Sequence, residues 1–150
     1  MMKRLSTPLK SILPGLALAA TLAAPSLASS SGLEISDTTL RITIVSRPAA
    51  GFFTLKNNGN KTRTLVGVRS PACKKAMLHQ SKMVNGVMKM LHVADLPIQA
   101  GGTLSFAPGG YHVMCMHPSA GITSKESVPV TLTFKNGEML KTDFTVTGAN

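Results

Sequence analysis

Short runs of alternating apolar and polar residues, separated by strong turn signals, constrain the fold of this chain more than any other feature. Asn85-Gly86 and Asn136-Gly137 are dipeptides favoured in two-residue hairpin turns, where both central residues adopt positive φ. Glycine with asparagine at 57–60, a glycine pair at 101–102 and glycine with proline at 108–110 interrupt the chain again. Past the N-terminal region, no segment shows a helical period over about ten or more residues.

The segments between these turns are predicted to be β-strands. They are residues 40–45, 51–55, 64–68, 87–93, 103–106, 111–116, 128–134 and 140–146. Many short strands at this spacing are typical of an antiparallel sandwich or barrel. The sequence therefore predicts an all-β protein built as a single antiparallel β-sandwich domain.

The N-terminal region has the three-part layout of a secretory signal peptide. Three basic residues lie among the first ten, an apolar run covers 12–24, and 25–28 places small residues where a signal peptidase cleaves. The apolar run is shorter than the ~20 residues of a membrane-spanning helix, and no cysteine near the cleavage site could accept a lipid. We therefore expect cleavage of 1–28, a 29–150 domain in the periplasm, and no stable membrane insertion after cleavage.

Net charge narrows the range of partners. The full chain carries a formal charge of +10, and loss of three basic residues with the signal leaves +7, because all six acids lie beyond residue 33. An acidic partner or anionic surface would suit this balance, but so would a solvated basic surface without a special partner. Nucleic acid is not an expected partner, because the protein is exported and only 4% of its residues are aromatic and able to stack on bases.

The chain has two cysteines, Cys73 and Cys115. A disulfide is plausible in an oxidising compartment. The sequence cannot show whether the two sulfur atoms are close in space, so a bridge and two separate buried thiols both remain open.

Methionine and histidine are concentrated in one part of the chain. Six of the seven methionines beyond the N-terminal region lie between Met77 and Met116, and all four histidines fall in nearly the same window. Methionine is ordinarily a flexible filler of hydrophobic cores. Packing alone would explain some of these residues, so their arrangement along the predicted strands decides whether the others have another role.

Strand alternation gathers these residues into mixed rows, because every second side chain lies on the same face. The two rows are Met88, Met90 and His92 in one strand, and His112, Met114 and Met116 in another. Such rows are unusual for a core. They suit a soft metal ion, because thioethers bind Cu(I) well and Zn(II), Mg(II) or Ca(II) poorly, while imidazole binds copper in either oxidation state.

Two histidines and two methionines of this window stand at a spacing found in a known family: His79, Met90, His112 and Met114. Together with the residues around them, in 85–90, 97–102 and 108–114, this spacing resembles that of the periplasmic PCuAC copper chaperones. The resemblance covers about residues 36–145 and is densest from 78 to 116.

The resemblance implies a cupredoxin-like (Ig-like) β-sandwich that holds a single Cu(I) ion at an exposed edge, with His79, Met90, His112 and Met114 as ligands. It also implies that the protein delivers copper to the CuA centre of a cytochrome oxidase, often beside a thiol-bearing assembly factor. The expected partner is therefore a copper-accepting protein, either that oxidase subunit or the assembly factor.

Two positions depart from the family pattern. Many members carry methionine directly after the first histidine, where this chain has Gln80, so position 80 is not counted as a ligand. Cys115, inside the His-x-Met segment, is not part of the pattern either. Three further residues are candidates for supporting the ligands or forming a second, weaker copper site: Met88, His92 and Met116.

Other functions are considered beside copper delivery. Copper storage or scavenging without a dedicated recipient would use the same ligands. A blue-copper electron-transfer protein needs two histidines, a cysteine and usually an axial methionine. Cys115 and His117 are separated by only one residue, and Ile122 stands where the axial methionine would be expected, so this interpretation is disfavoured. Catalysis is not expected, because no acids are paired near the histidine and methionine residues.

Overall fold

Ten strands form the regular structure of this protein in a computed structural model that describes residues 32–44 and 46–148. They are β1 (Leu33–Arg41), β2 (Ala49–Asn57), β3 (Arg63–Arg69), β4 (Cys73–Val84), β5 (Val87–His92), β6 (Leu96–Ile98), β7 (Thr103–Phe106), β8 (Tyr111–Pro118), β9 (Ser127–Phe134) and β10 (Met139–Thr147). In those ranges, no helix is long and apolar enough to cross a membrane. The predicted signal peptide, residues 1–28, lies outside the described residues.

The strands form one hydrogen-bonded sheet in the order β5-β4-β8-β7-β2-β1-β10-β9-β3-β6, with β8 also pairing with β2. Strands β3 and β4 lie near opposite ends of this order and still contact each other. The Phe53 and Phe144 rings meet between β2 and β10, with centroids 5.7 Å apart. The predicted all-β, cupredoxin-like sandwich is confirmed. Most pairs are antiparallel as expected, but β1–β10 and β7–β8 are parallel.

The core lies between the two halves of this sheet, and strand alternation fills it. In β9, Val128, Val130, Leu132 and Phe134 are buried while most of the intervening side chains reach solvent. Each such side chain contributes roughly 1.5–3 kcal/mol by leaving water. At Gly51, an added Cβ would lie 3.0 Å from the Val113 side chain. The absence of a side chain at Gly51 therefore lets β2 pack closely against the neighbouring core residues.

The first predicted strand was placed too late, because 40–45 overlaps only the end of β1 (Leu33–Arg41). Strand β4 (Cys73–Val84) was not predicted at all, although it is the longest. Its three lysines, its glutamine and its serine fall at both odd and even positions, so its apolar alternation is weak. Strand β6 has only three residues and was also missed.

The two Asn-Gly turns differ. Asn85 and Gly86 both have positive φ, of 51° and 77°, and form the predicted two-residue hairpin between β4 and β5. Between β9 and β10 only Gly137 has positive φ, of 84°, so the two-residue turn predicted there is wrong. The Gly137 N–H donates to the Phe134 carbonyl, and the Phe134 N–H donates to the Glu138 carbonyl. The loop between β9 and β10 is therefore longer than the Asn85-Gly86 turn, and Gly137 alone supplies its left-handed conformation.

Cys73 and Cys115 form a disulfide, with their Cα atoms 5.3 Å apart. Cys115 is fully buried on the core face of β8. The bond links the start of β4 to the middle of β8, the two strands that carry most of the histidine and methionine residues. It therefore helps to hold their register from the core side.

Replacing both cysteines by alanine should lower the free energy of unfolding by about 2–4 kcal/mol, because the bridge closes a loop of 42 residues in the unfolded chain. Urea denaturation followed by far-UV circular dichroism measures this. The wild type with added reductant is the matched control and should lose stability to a similar extent. An unchanged denaturation midpoint in both samples would contradict a stabilising role for the bridge.

Candidate metal centre

Three histidines lie in one row across β5, β4 and β8. His79 is paired with His92 on one side and with His112 on the other. Directly paired residues of antiparallel strands point to the same face of the sheet. The ring centroids are 5.7 Å apart for His79 and His92 and 6.0 Å apart for His79 and His112, both with edge-on rings. Strand β4 thus brings His79 to the same face as the histidine-methionine row of β8.

A cleft of about 500 Å³ opens on this face. Met90, His112 and Met114, three of the four predicted ligands, line it together. Its other walls include Arg47, Phe52 and Pro108. Met114 is opposite Met77 on β4 and Ala50 on β2, and Met90 is opposite Ser81 on β4. The fourth predicted ligand, His79, borders the cleft through its ring contact with His112.

His112 is held in one orientation by the backbone. The residue is 6% exposed, and its Nδ1 lies 3.2 Å from the carbonyl oxygen of Gly110. A carbonyl can only accept, so a neutral His112 ring donates from Nδ1 and leaves a lone pair on Nε2. The Nε2 atom is buried and has no hydrogen-bond partner. Buried polar atoms are rarely left in this state, and doing so costs about 1–3 kcal/mol.

His79 has a similar unpartnered atom, since its Nδ1 is buried without a hydrogen bond. The pKa of His79 is lowered from its ordinary value of 6.5, first by desolvation and then by repulsion from His112 and His92. These effects favour the neutral imidazole, which is the form that coordinates a metal ion. His79 therefore presents an uncharged imidazole at the edge of the cleft.

The potential ligands at this cleft include methionines. Within residues 32–44 and 46–148, no group of three or more histidine, cysteine, aspartate or glutamate side chains could hold a metal ion. The cleft instead combines two imidazoles with the thioethers of Met90 and Met114. Sulfur ligands of this kind fit Cu(I), whereas hard cations such as Mg(II) and Ca(II) prefer oxygen.

The remaining predicted residues lie around the cleft but do not line it. Met88 is 52% exposed and lies opposite Met83. His92 is exposed beside His79, and Met116 lines a separate depression with Met77 and His117. Each of the three stays a candidate for a weaker site.

Cys115 offers no thiolate, because it is bonded to Cys73 and lies on the core face. The blue-copper interpretation is therefore unsupported, since both cysteines of the chain are in this bridge. Sequence reasoning missed Arg47 and Phe52 as cleft residues, because they come from β2 and the loop before it. It also missed the Gly110 carbonyl, which is a backbone group without a residue-type signal.

The sandwich with this cleft has the fold of the PCuAC domains. The copper-bound PCuAC domain from PmoF2 aligns with a TM-score of 0.63 and 19% identity, over 79% of this chain and 94% of that domain. The solution structure of apo-DR1885 from Deinococcus radiodurans aligns with a TM-score of 0.63 and 27% identity, over 97% of this chain and 98% of that protein. The resemblance to the PCuAC family seen in the sequence is confirmed.

The chain belongs to the LpqE-like family, whose model, described as "Putative lipoprotein LpqE-like", matches residues 33–146. The "Putative lipoprotein Lxx21020" of Leifsonia xyli subsp. xyli is 37% identical over 89 residues, which is 59% of this chain and 54% of that protein. The chain spans about half the length of the curated relatives it matches.

The lowered pKa of His79 predicts how the metal-free protein responds to acid. The pKa of His79 is lower in the folded protein than in the unfolded chain, so above about pH 6.5 its titration does not lower the free energy of unfolding. As the pH falls from there through the folded pKa, the unfolded chain binds the proton more readily, and the free energy of unfolding decreases. The His79→Gln variant, which does not titrate, should therefore show a smaller loss of unfolding free energy between neutral and mildly acidic pH.

Nuclear magnetic resonance of the imidazole ring checks the cause. The His79 titration midpoint should lie below the ordinary value, and His112→Ala should raise it by removing one repulsive neighbour. A midpoint at or above the ordinary value would contradict this account.

Proposed function

We propose that this protein binds one copper ion, as Cu(I), through His79, Met90, His112 and Met114, and passes it on as a copper chaperone. The observation that carries the proposal is the buried, unpartnered Nε2 of His112 in a cleft that Met90 and Met114 also line. A metal ion would satisfy that nitrogen, and two thioethers beside it select a soft one.

The relatives support copper as the cargo. The PCuAC domain from PmoF2 is described as copper-bound, and DR1885 has been solved in a CuI form that is 27% identical to this chain. Cu(I) has a filled d shell and accepts tetrahedral or trigonal geometry. Two neutral imidazoles and two neutral thioethers then leave a single positive charge on the site, so no carboxylate is needed to balance it.

The exposure of the proposed ligands is suited to the transfer of copper to another protein. Met90 is 59% exposed on the outermost strand of the sheet, while His112 is buried. An incoming ligand would therefore reach the metal from the Met90 side. We infer that the thioethers are released before the imidazoles, through mixed coordination with the acceptor. Binding and release of this kind need no catalytic group, so we propose a carrier and not an enzyme.

The proposed recipient is the CuA centre of a cytochrome oxidase, directly or through a thiol-bearing assembly factor. Copper storage without a dedicated recipient is the alternative, and it uses the same ligands. Transfer from the Cu(I)-loaded protein to the metal-free CuA domain separates the two functions, because a storage protein would retain its copper. We also propose that the protein acts after export, in the periplasm, which agrees with the name lipoprotein given to its family.

A Cu(I) titration against a chromophoric chelator tests the cargo and the ligands together. The wild type should bind one equivalent. The His112→Ala, Met114→Ala double variant should bind at least about 100-fold more weakly, because loss of even an outer partner of a metal ligand costs 10–100-fold.

The Met83→Ala, Met139→Ala double variant is the matched control. These methionines are 59% and 52% exposed and do not line the cleft, so this variant should bind like the wild type. Equal binding by all three proteins, or binding by none, would mean that the histidine-methionine face is packing and not a copper site.

A further inference from the structure

One charged side chain lines the cleft, and its charge has the same sign as that of the proposed cargo. Among the described residues, Arg47 is the only charged one in the cleft wall, which it shares with Met90, His112 and Met114. The strands that carry the proposed ligands, β4, β5 and β8, contain no aspartate or glutamate. A cation in the cleft would therefore have a guanidinium as a neighbour and no carboxylate on these strands to balance it.

The backbone holds Arg47 beside the cleft. Its N–H donates to the carbonyl of Ile44 at 2.9 Å. Pro48 follows directly, and a proline restricts the residue before it to extended conformations. Pro48 also lines the cleft, and β2 begins at the next residue. Within the part of the chain that the structure describes, Arg47 has no ion-pair partner, so no carboxylate there neutralises its charge.

A second arginine lies on the same face of the sheet. Arg41 on β1 is paired with Ala50 on β2, and Ala50 is paired with Met114 on β8. Because directly paired residues share a face, Arg41 points to the side of the sheet that carries the cleft. Its guanidinium carbon lies 5.5 Å from the centroid of the Phe52 ring, and Phe52 is a wall of the cleft. Positive charge therefore extends from the cleft to the strand beyond it.

The repulsion between a guanidinium and a bound ion is proportional to the charge of the ion. Imidazoles and thioethers coordinate as neutral groups, so the proposed ligands do not offset this repulsion. At the same distance, Cu(II) or any other divalent ion meets twice the repulsion that Cu(I) meets. Imidazole alone would accept copper in either oxidation state. The guanidinium therefore adds selection by charge to the selection by softness that the thioethers provide.

We propose that Arg47 is a specificity-determining residue, whose guanidinium at the cleft disfavours Cu(II) and other divalent cations relative to Cu(I). This role rests on the proposed function, because copper is the ion that enters the cleft. The same repulsion weakens the binding of Cu(I) to a smaller extent, which favours its release to an acceptor. A carboxylate in this place would have the opposite effect and would hold Cu(II) more tightly.

The R47Q variant tests this role through the affinities for Cu(I) and Cu(II), each measured by competition with a chelator for that oxidation state. At about 0.01 M salt, R47Q should bind Cu(I) about threefold and Cu(II) about tenfold more tightly than the wild type, because one exposed charge acts once on Cu(I) and twice on Cu(II). At about 1 M salt, where the Debye length is ~3 Å, both changes should shrink. Cu(II) binding that persists in the His112→Ala, Met114→Ala variant is subtracted, because it belongs to other groups.

The reduction potential of the bound copper is a second readout. If R47Q binds Cu(II) about tenfold and Cu(I) about threefold more tightly, the potential of the Cu(II)/Cu(I) couple falls by about 30 mV, since a one-electron couple shifts by about 59 mV for each tenfold change. Voltammetry of the copper-loaded protein measures this shift.

Two further variants are the controls. R47K keeps the positive charge and should keep the wild-type affinities and potential. R69Q loses the same charge at an exposed arginine that ends β3 and does not line the cleft, so it should also behave like the wild type.

Equal changes for Cu(I) and Cu(II) in R47Q, or the same changes in R69Q, would overturn selection by the charge of Arg47. Changes in R47K as large as those in R47Q would also overturn it, because they would assign the effect to the shape of the side chain. Failure of the wild type to bind Cu(I) would remove the proposed function and this role with it. Normal Cu(I) binding by the wild type, with an unchanged Cu(II) affinity in R47Q, would overturn the role of Arg47 alone.

Discussion

The antiparallel pairing of β4 with β8 is the constraint on which both the core and the candidate site depend. In its register, Leu78 lies opposite Val113 on the buried face, and His79 lies opposite His112 on the other. Because side chains alternate along a strand, a slip of one residue would move the histidines into the core and the apolar residues to the surface. The hydrophobic effect therefore fixes the positions of the metal-binding groups through the register of the two strands.

Backbone groups refine this arrangement. The Gly110 carbonyl lies next to Nδ1 of His112 and also accepts the N–H of Ser81 on β4. One carbonyl has two lone pairs, so it can serve both donors. This group connects the hairpin that carries Met90 to the histidine that is most buried. The disulfide between Cys73 and Cys115 joins the same two strands from the core side.

Much of the fold could be predicted from the sequence. This was possible where one face of a strand is apolar and where the turns have distinctive residues. Strand β8 and the Asn85-Gly86 hairpin are examples. Strand β4 was not, because its polar residues fall on both faces, which removes the alternation that identifies a strand. The sequence pattern grouped His112 with Met114, but only the pairing of β4 brings His79 beside them. Arg47 could not be predicted, because its place at the cleft follows from the tertiary fold alone.

Selective labelling of the methionine methyl groups, followed by nuclear magnetic resonance during addition of Cu(I), tests the central claim most directly. The account predicts that the signals of Met90 and Met114 move together and reach their limit at one equivalent. Met83 and Met139, whose exposure is similar to that of Met90, should show no change in their signals. If Met90 and Met114 do not move, or if all exposed methionines move alike, these two residues do not form a defined copper site.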